Sequence, residues 1–222
     1  MKKQILTITS VALVAGALLF NGCKKDDVTA PVITLKGNST VFSSLNVAYS
    51  DSGATATDDQ DGSLTTKITV TGTVNKDLAG DYTLNYSVSD AAGNTGKATR
   101  TVTVRNDAYD WAGTYNVKDT CGTTLFFDYS QIVTASTTVN NRIHFNKFAD
   151  YSNNSSIYAT VNVGAGTVDL PSQTATGIGS LTESHTFSGT GTKTSTGFRL
   201  VYTDLNNTAG GAAASCKATF AK

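Results

Sequence analysis

Tyr82-Thr83-Leu84-Asn85-Tyr86-Ser87-Val88-Ser89 decides the fold of this chain. Its aromatic and aliphatic residues occupy every second position, and Thr83, Asn85, Ser87 and Ser89 take the places between. A period of two sends successive side chains to opposite faces of an extended strand, so one face is buried and the other wetted. The pattern recurs on both sides. Val102 and Val104 alternate with Thr101 and Thr103, and Ile68 and Val70 alternate with Thr69 and Thr71. Asp61-Gly62, Ala79-Gly80-Asp81 and Ala92-Gly93-Asn94 supply the turns between such runs. Thr29 to Arg105 therefore reads as short antiparallel strands packed into a two-sheet sandwich.

Residues 107–222 carry the same signal on a second unit, joined at Asn106-Asp107. Trp111 and Tyr115 flank Gly113-Thr114, and Leu125 to Tyr129 is rich in aromatics. Ile143 and Phe145, Val161 and Val163, Val168 and Leu170, then Phe198, Leu200 and Tyr202, and finally Cys216, Ala218 and Phe220 follow in pairs and triplets. About eight short runs separated by turns predict a small antiparallel barrel or sandwich. Composition agrees: Glu183 is the one glutamate, whereas helix surfaces draw on Glu, Lys, Gln and Ala. The expected fold class is all-β throughout.

The N-terminus reads as an export signal. Lys2 and Lys3 precede an apolar run from Ile5 to Phe20, and Gly22 stands immediately before Cys23. The run is about 16 residues, short of the ~20 needed to cross a bilayer, which favours cleavage over a retained anchor. Leu19-Phe20-Asn21-Gly22-Cys23 resembles a bacterial lipobox. That resemblance implies a signal peptide at residues 1–22, lipid on Cys23 and a tether at residues 23–28. Lys24-Lys25-Asp26-Asp27 is similar to the surface-export signal of Bacteroidetes lipoproteins, leaving the periplasmic and the cell-surface face both open. If Cys23 carries lipid, Cys121 and Cys216 remain, and an even pair in an oxidising compartment reads as a disulfide. Two buried thiols are the alternative. In a barrel the first and last strands are neighbours, so this bridge would pin the seam.

The sandwich can be compared with a known family through Ala30-Pro31-Val32-Ile33-Thr34-Leu35, Tyr49, Asp51, Gly53, Asp58, Asp61-Gly62, Tyr82, Tyr86, Asp90-Ala91-Ala92-Gly93-Asn94 and Arg100-Thr101-Val102. This pattern resembles a bacterial immunoglobulin-like repeat of unknown function related to the hyalin-repeat group. It implies a spacer or adhesion module at residues 29–105, not a catalyst. Trp111 to Tyr115 is faintly similar to the opening strand of lipocalin-like barrels. The whole arrangement resembles Bacteroidetes outer-membrane lipoproteins, some of which accompany TonB-dependent glycan uptake.

Charge excludes one partner class. The 17 basic and 17 acidic residues balance, and removing Lys2 and Lys3 with the signal leaves a slight acidic excess. Nucleic-acid binding calls for a basic patch, so none is expected. Asp58, Asp61 and Asp90 sit beside turns at one end of the sandwich, where their oxygens could suit calcium or cap the turns. Isolated cysteines with the histidines elsewhere argue against a metal centre, and no cofactor is expected. Glu183 and His185 are two apart and would share a strand face, as an acid–base pair or as surface residues. A Gly-x-Ser-x-Gly nucleophile motif is absent. Trp111, Phe127 and Tyr129 offer rings on which a sugar could stack, with core packing as the alternative. Phe126 and Phe127 must point to opposite faces. The expected function is non-enzymatic: a lipid-anchored outer-membrane protein whose immunoglobulin-like stalk presents a β-domain for glycan or nutrient capture. The alternatives are a hydrolase head, with Glu183, Asp169 or Asp204 as acids, and a purely structural envelope protein.

Overall fold

The computed structural model describes residues 26–123, 125–151, 157–178, 183–208, 210–211 and 213–222. Cys23 and the signal segment lie outside them. Strands β1 (Val32–Leu35), β3 (Ala54–Asp58) and β4 (Gly62–Ser63) form one sheet. Strands β2 (Thr40–Ser44), β7 (Thr95–Arg105), β6 (Gly80–Ser89) and β5 (Thr69–Thr71) form the facing one, in that spatial order. The β2–β7 pair is parallel, an exception to the antiparallel expectation.

Leu84, Tyr86 and Val88 point inward from β6 as their period requires: Leu84 and Tyr86 pack with Val102 of β7 and Ala54 of β3, and Val88 packs with Ala56 of β3 and Leu64 just after β4. Val70 departs from expectation: β5 is a three-residue edge strand and leaves it exposed. The same inward face of β7 carries Arg100, which is fully buried. Its guanidinium pairs with Asp51 and donates to Lys36 O at 2.6 Å and Asn38 O at 3.2 Å. The Tyr86 hydroxyl donates to Asp51 Oδ2 at 2.7 Å. Burial works to raise the Asp51 carboxyl, but the Tyr86 hydrogen bond and the Arg100 charge outweigh it and hold it below the usual carboxylate range. The core of this sandwich, which has no cysteine pair, thus includes an ion pair closed by hydrogen bonds.

The second unit is a closed barrel of eight strands: β8 (Gly113–Cys121), β9 (Leu125–Ala135), β10 (Arg142–Phe145), β11 (Tyr158–Asn162), β12 (Thr167–Ile178), β13 (Glu183–Lys193), β14 (Gly197–Asn206) and β15 (Ala214–Ala221). Each strand pairs antiparallel with the next, and β15 returns to β8. Closure removes free sheet edges. At the seam Cys121 and Cys216 are direct register partners and are disulfide-bonded, S–S 2.01 Å.

The end nearest the sandwich is filled. A short 3₁₀ turn, Asp107–Trp111, lays Trp111 against Phe198, whose ring stacks on Phe220 with centroids 4.2 Å apart. Lys222 Nζ donates to the carbonyls of Asp110 and Ala112 at 3.0 and 2.8 Å.

The junction is also built. Asn106 is buried; its Nδ2 donates to Ser136 O, Val139 O and Arg142 O at 2.9–3.1 Å. Its Oδ1 accepts from Ala108 N and Asn141 N, both at 2.9 Å. Asn46 adds bonds to Thr138 O and Asn140 N, and Ala79 N donates to Thr137 O. The residue read as a short linker is the clasp between sandwich and barrel.

Candidate ligand site at the far mouth of the barrel

Toward the end that carries the disulfide, the inward positions change from apolar to polar. Tyr115, Val117, Asp119 and Cys121 alternate along β8, so Asp119 enters the barrel by the same period as its apolar neighbours and is 2 % exposed. Tyr202 OH donates to Asp119 Oδ2 at 2.6 Å, and Tyr129 OH approaches the same oxygen at 3.5 Å. Burial pushes the Asp119 carboxyl up, against the pull of the Tyr202 hydrogen bond. Burial, then the Asp119 charge, raises the Tyr129 and Tyr202 hydroxyls far above ordinary tyrosine, so both stay protonated donors.

A second group lies on β13 and β14. His185 Nδ1 is 2.6 Å from Asp204 Oδ1, and Tyr151 OH donates to Asp204 Oδ2 at 3.3 Å. Glu183 Oε2 lies 3.6 Å from His185 Nε2, beyond hydrogen-bond length. The Tyr151 ring packs on the imidazole, centroids 4.8 Å apart. Burial and the Asp204 charge raise the Tyr151 hydroxyl. Phe148 fills the space beneath, 5.0 Å from the Tyr202 ring and 5.2 Å from Phe187. It is carried by the short turn Phe148–Asp150, in which Ala149 and Asp150 both have positive φ.

The structure separates the residues proposed from sequence for ligand binding. Phe127 faces inward opposite Asp119 in register, is 36 % exposed, and stands at the mouth; Tyr129 lines the interior two residues deeper. Trp111 does not join them: it is 3 % exposed and packs the opposite end, so its ring is core and not a ligand platform. Phe126 points outward and is 77 % exposed.

His185, for which surface exposure was expected, is 4 % exposed, because it shares an inward face with Phe187. Of the three acids considered for hydrolysis, Glu183 and Asp204 flank this histidine, whereas Asp169 lies exposed on the outer wall. Asp119 went unrecognised, although its spacing from Tyr115 and Val117 was the signal for it.

Asp58, Asp61 and Asp90 gather at one end of the sandwich and spend oxygens on backbone donors. Asp58 Oδ1 accepts from Gln60 N and Asp61 N at 2.9 Å, Asp61 Oδ2 from Ala91 N at 2.6 Å, and Asp90 Oδ1 from Asn94 N at 2.8 Å. Asp58 and Asp90 thereby cap their own turns, and Asp61 ties its turn to the one at Ala91. Among the described residues the acidic trio whose oxygens come within 4.8 Å of one another is a different one, Asp27, Asp58 and Asp59.

Residues 33–104 match the family model described as bacterial surface protein, Ig-like domain. No curated protein matches the chain. Among solved structures, a lipoprotein from Bacteroides thetaiotaomicron aligns at 16 % identity and a TM-score of 0.36, covering 86 % of this chain and 100 % of that one. A structure of the CBM51-2 module in complex with GlcNAc, with the INT domains, of Clostridium perfringens ZmpB aligns at 16 % identity and a TM-score of 0.29, covering 86 % of this chain and 44 % of that one.

Proposed function

We propose that this chain is a cell-envelope protein whose immunoglobulin-like sandwich carries a barrel that binds a saccharide through its far mouth, without turnover. The observation that carries the reading is the set of Asp119, Asp204, His185 and three tyrosines held inside the mouth, with Phe127 at its edge. Carboxylates accept paired hydrogen bonds from hydroxyls, and aromatic faces receive the apolar side of a sugar ring; pockets of this kind combine a ring-lined wall with a few fixed polar groups. Bonds made within the site hold its polar groups in place, which lowers the ordering cost of binding.

The match of residues 33–104 to a bacterial surface domain supports an envelope location. Cys23 supplies the lipid anchor in this reading, the outer membrane is the site, and a TonB-dependent transporter is the partner that would receive the ligand. Mass spectrometry of the N-terminal peptide tests the anchor: a diacylglyceryl mass on Cys23 is expected, and a free N-terminus at Met1 refutes it. For binding, calorimetric titration of the full chain against mono- and oligosaccharides is expected to give saturable heats that Tyr151→Ala removes. Silence across a broad panel would sink the reading. A second reading rests on Glu183, His185 and Asp204 standing in line, an arrangement able to move a proton; release of reducing ends from a bound oligosaccharide would replace binding by hydrolysis.

A further inference from the structure

Arg105 ends β7 on the outer face of the sandwich. Val102 and Val104 turn inward, so Thr103 and Arg105 turn out, and Phe42, the register partner of Thr103, turns out with them. The 3₁₀ turn that follows buries Ala108 and Trp111, three positions apart, and leaves Tyr109 off its buried side. The Arg105 guanidinium lies over both rings, 4.9 Å from the Phe42 centroid and 5.0 Å from the Tyr109 centroid. Both rings are largely uncovered, Phe42 at 67 % exposure and Tyr109 at 55 %. Exposed rings gathered around one cation mark a surface built to meet something.

That guanidinium is an unspent donor. Stacking uses the faces of the group and leaves the N–H fork at its edge. Among the described residues it has neither an ion pair nor a hydrogen bond, in contrast to Arg100, which is buried against Asp51. The acids on adjoining stretches are engaged elsewhere: Asp107 Oδ2 accepts from Asn140 Nδ2 at 2.8 Å, and Asp81 Oδ1 from Thr103 Oγ1 at 2.6 Å.

Arg105 and Tyr109 line a cavity of about 400 Å³ at the joint between sandwich and barrel. Its size falls within the ~300–1,000 Å³ of small-molecule sites. Ala79, Ala112 and Ala135 give it apolar walls. Thr134 and Thr137 also line it, and their hydroxyls make no hydrogen bond among the described residues. A carboxylate meets a guanidinium fork with two parallel hydrogen bonds. The apolar face of a sugar ring suits an aromatic ring and alanine walls, and its hydroxyls suit threonines.

We propose that the joint is a second binding site, for a hexuronic acid: its carboxylate on Arg105, its ring against Tyr109 and its hydroxyls toward Thr134 and Thr137. The site lies at the sandwich end of β9, away from the far mouth, and stands whether or not the mouth binds anything.

Amide NMR titration of the full chain with sodium D-galacturonate, D-galactose and sodium hexanoate tests it. Shifts at Ala79, Gly80 and Thr134 report on the joint, and those at Asp119 and Asp204 on the mouth. At the joint, galacturonate is expected to bind about tenfold tighter than galactose, the size of one charge-assisted pair, and Arg105→Gln to abolish that preference. Circular dichroism verifies that the variant is folded, and Tyr109→Ala provides a second route to weaker galacturonate binding. Unchanged galacturonate affinity in both variants would overturn the assignment. Equal affinity for galacturonate and galactose would overturn the carboxylate seat. Hexanoate binding as tightly as galacturonate would overturn the sugar. Shifts confined to the mouth, or none at millimolar concentration, would overturn the site.

Discussion

Cutting the barrel seam should cost a third or more of the barrel's stability. The substitutions are Cys121→Ser with Cys216→Ala: Cys216 is buried, so alanine avoids leaving a lone hydroxyl in the core, while half-buried Cys121 accepts serine. The bridge spans 95 residues. Loop-closure entropy for that length is about 16 cal/mol/K, or ~4.7 kcal/mol at 25 °C. It is large because the bridge joins the first strand to the last, so β9 to β14 all lie inside the loop. Against the ~5–15 kcal/mol that holds a typical domain, this is a third or more of the total. Urea unfolding followed by tryptophan fluorescence reports on the barrel alone, since Trp111 is the chain's one tryptophan and lies in the barrel core. The midpoint should fall and the m-value rise, because an uncrosslinked unfolded chain exposes more surface. A loss below about 1 kcal/mol with unchanged m would refute the loop-entropy reasoning and show that β8–β15 pairing alone secures the seam.

Two further outcomes follow from the sandwich and the joint. Asp51→Ala should destabilise the sandwich by about 3 kcal/mol, because Arg100 would stay buried without its carboxylate. The Asp51 carboxyl is held low in the fold, so its contribution is complete above about pH 4 and is lost as acid protonates it. Wild type should therefore lose stability as the pH falls below about 4 by an amount the variant does not, and parallel acid titrations of the two would contradict this. Asn106→Ala removes the bonds that tie β7 to the β9–β10 turn and should cost about 3 kcal/mol. Hydrogen exchange at residues 136–142 should accelerate, and unchanged protection there would show that the clasp holds without its amide.

The period of two carried most of the fold. It placed β6 and β7 correctly by face, and eight short runs with turns between them became eight barrel strands. The same rule, carried further, puts Arg100, Asp119 and His185 inside, two residues from Val102, Val117 and Phe187 respectively, but the sequence reading expected His185 at the surface and passed over the other two. Charged and titratable residues are ordinarily solvated, and that prior runs against the alternation at all three. Each is kept inside by partners that lie far away in sequence: Asp51 for Arg100, Tyr202 for Asp119, Asp204 for His185. No local pattern announces such a pairing. Trp111 failed in the opposite sense. A tryptophan next to a glycine turn reads equally as a platform or a plug, and the choice is made by Phe198, 87 positions on in the chain. Asn106 looked like a joint because it is polar and falls between two patterned runs. Four of its five hydrogen bonds depend on a hairpin 30 to 36 residues later.

The filled base of the barrel has a consequence for what can be recognised. With Trp111, Tyr115, Phe198 and Phe220 packed across one end and the wall closed all round, the barrel cannot be entered from the sandwich side. A polymer therefore cannot thread through it from end to end. In the binding reading a long chain engages the far end alone, so affinity should track the number of chain ends in a sample and not its total mass.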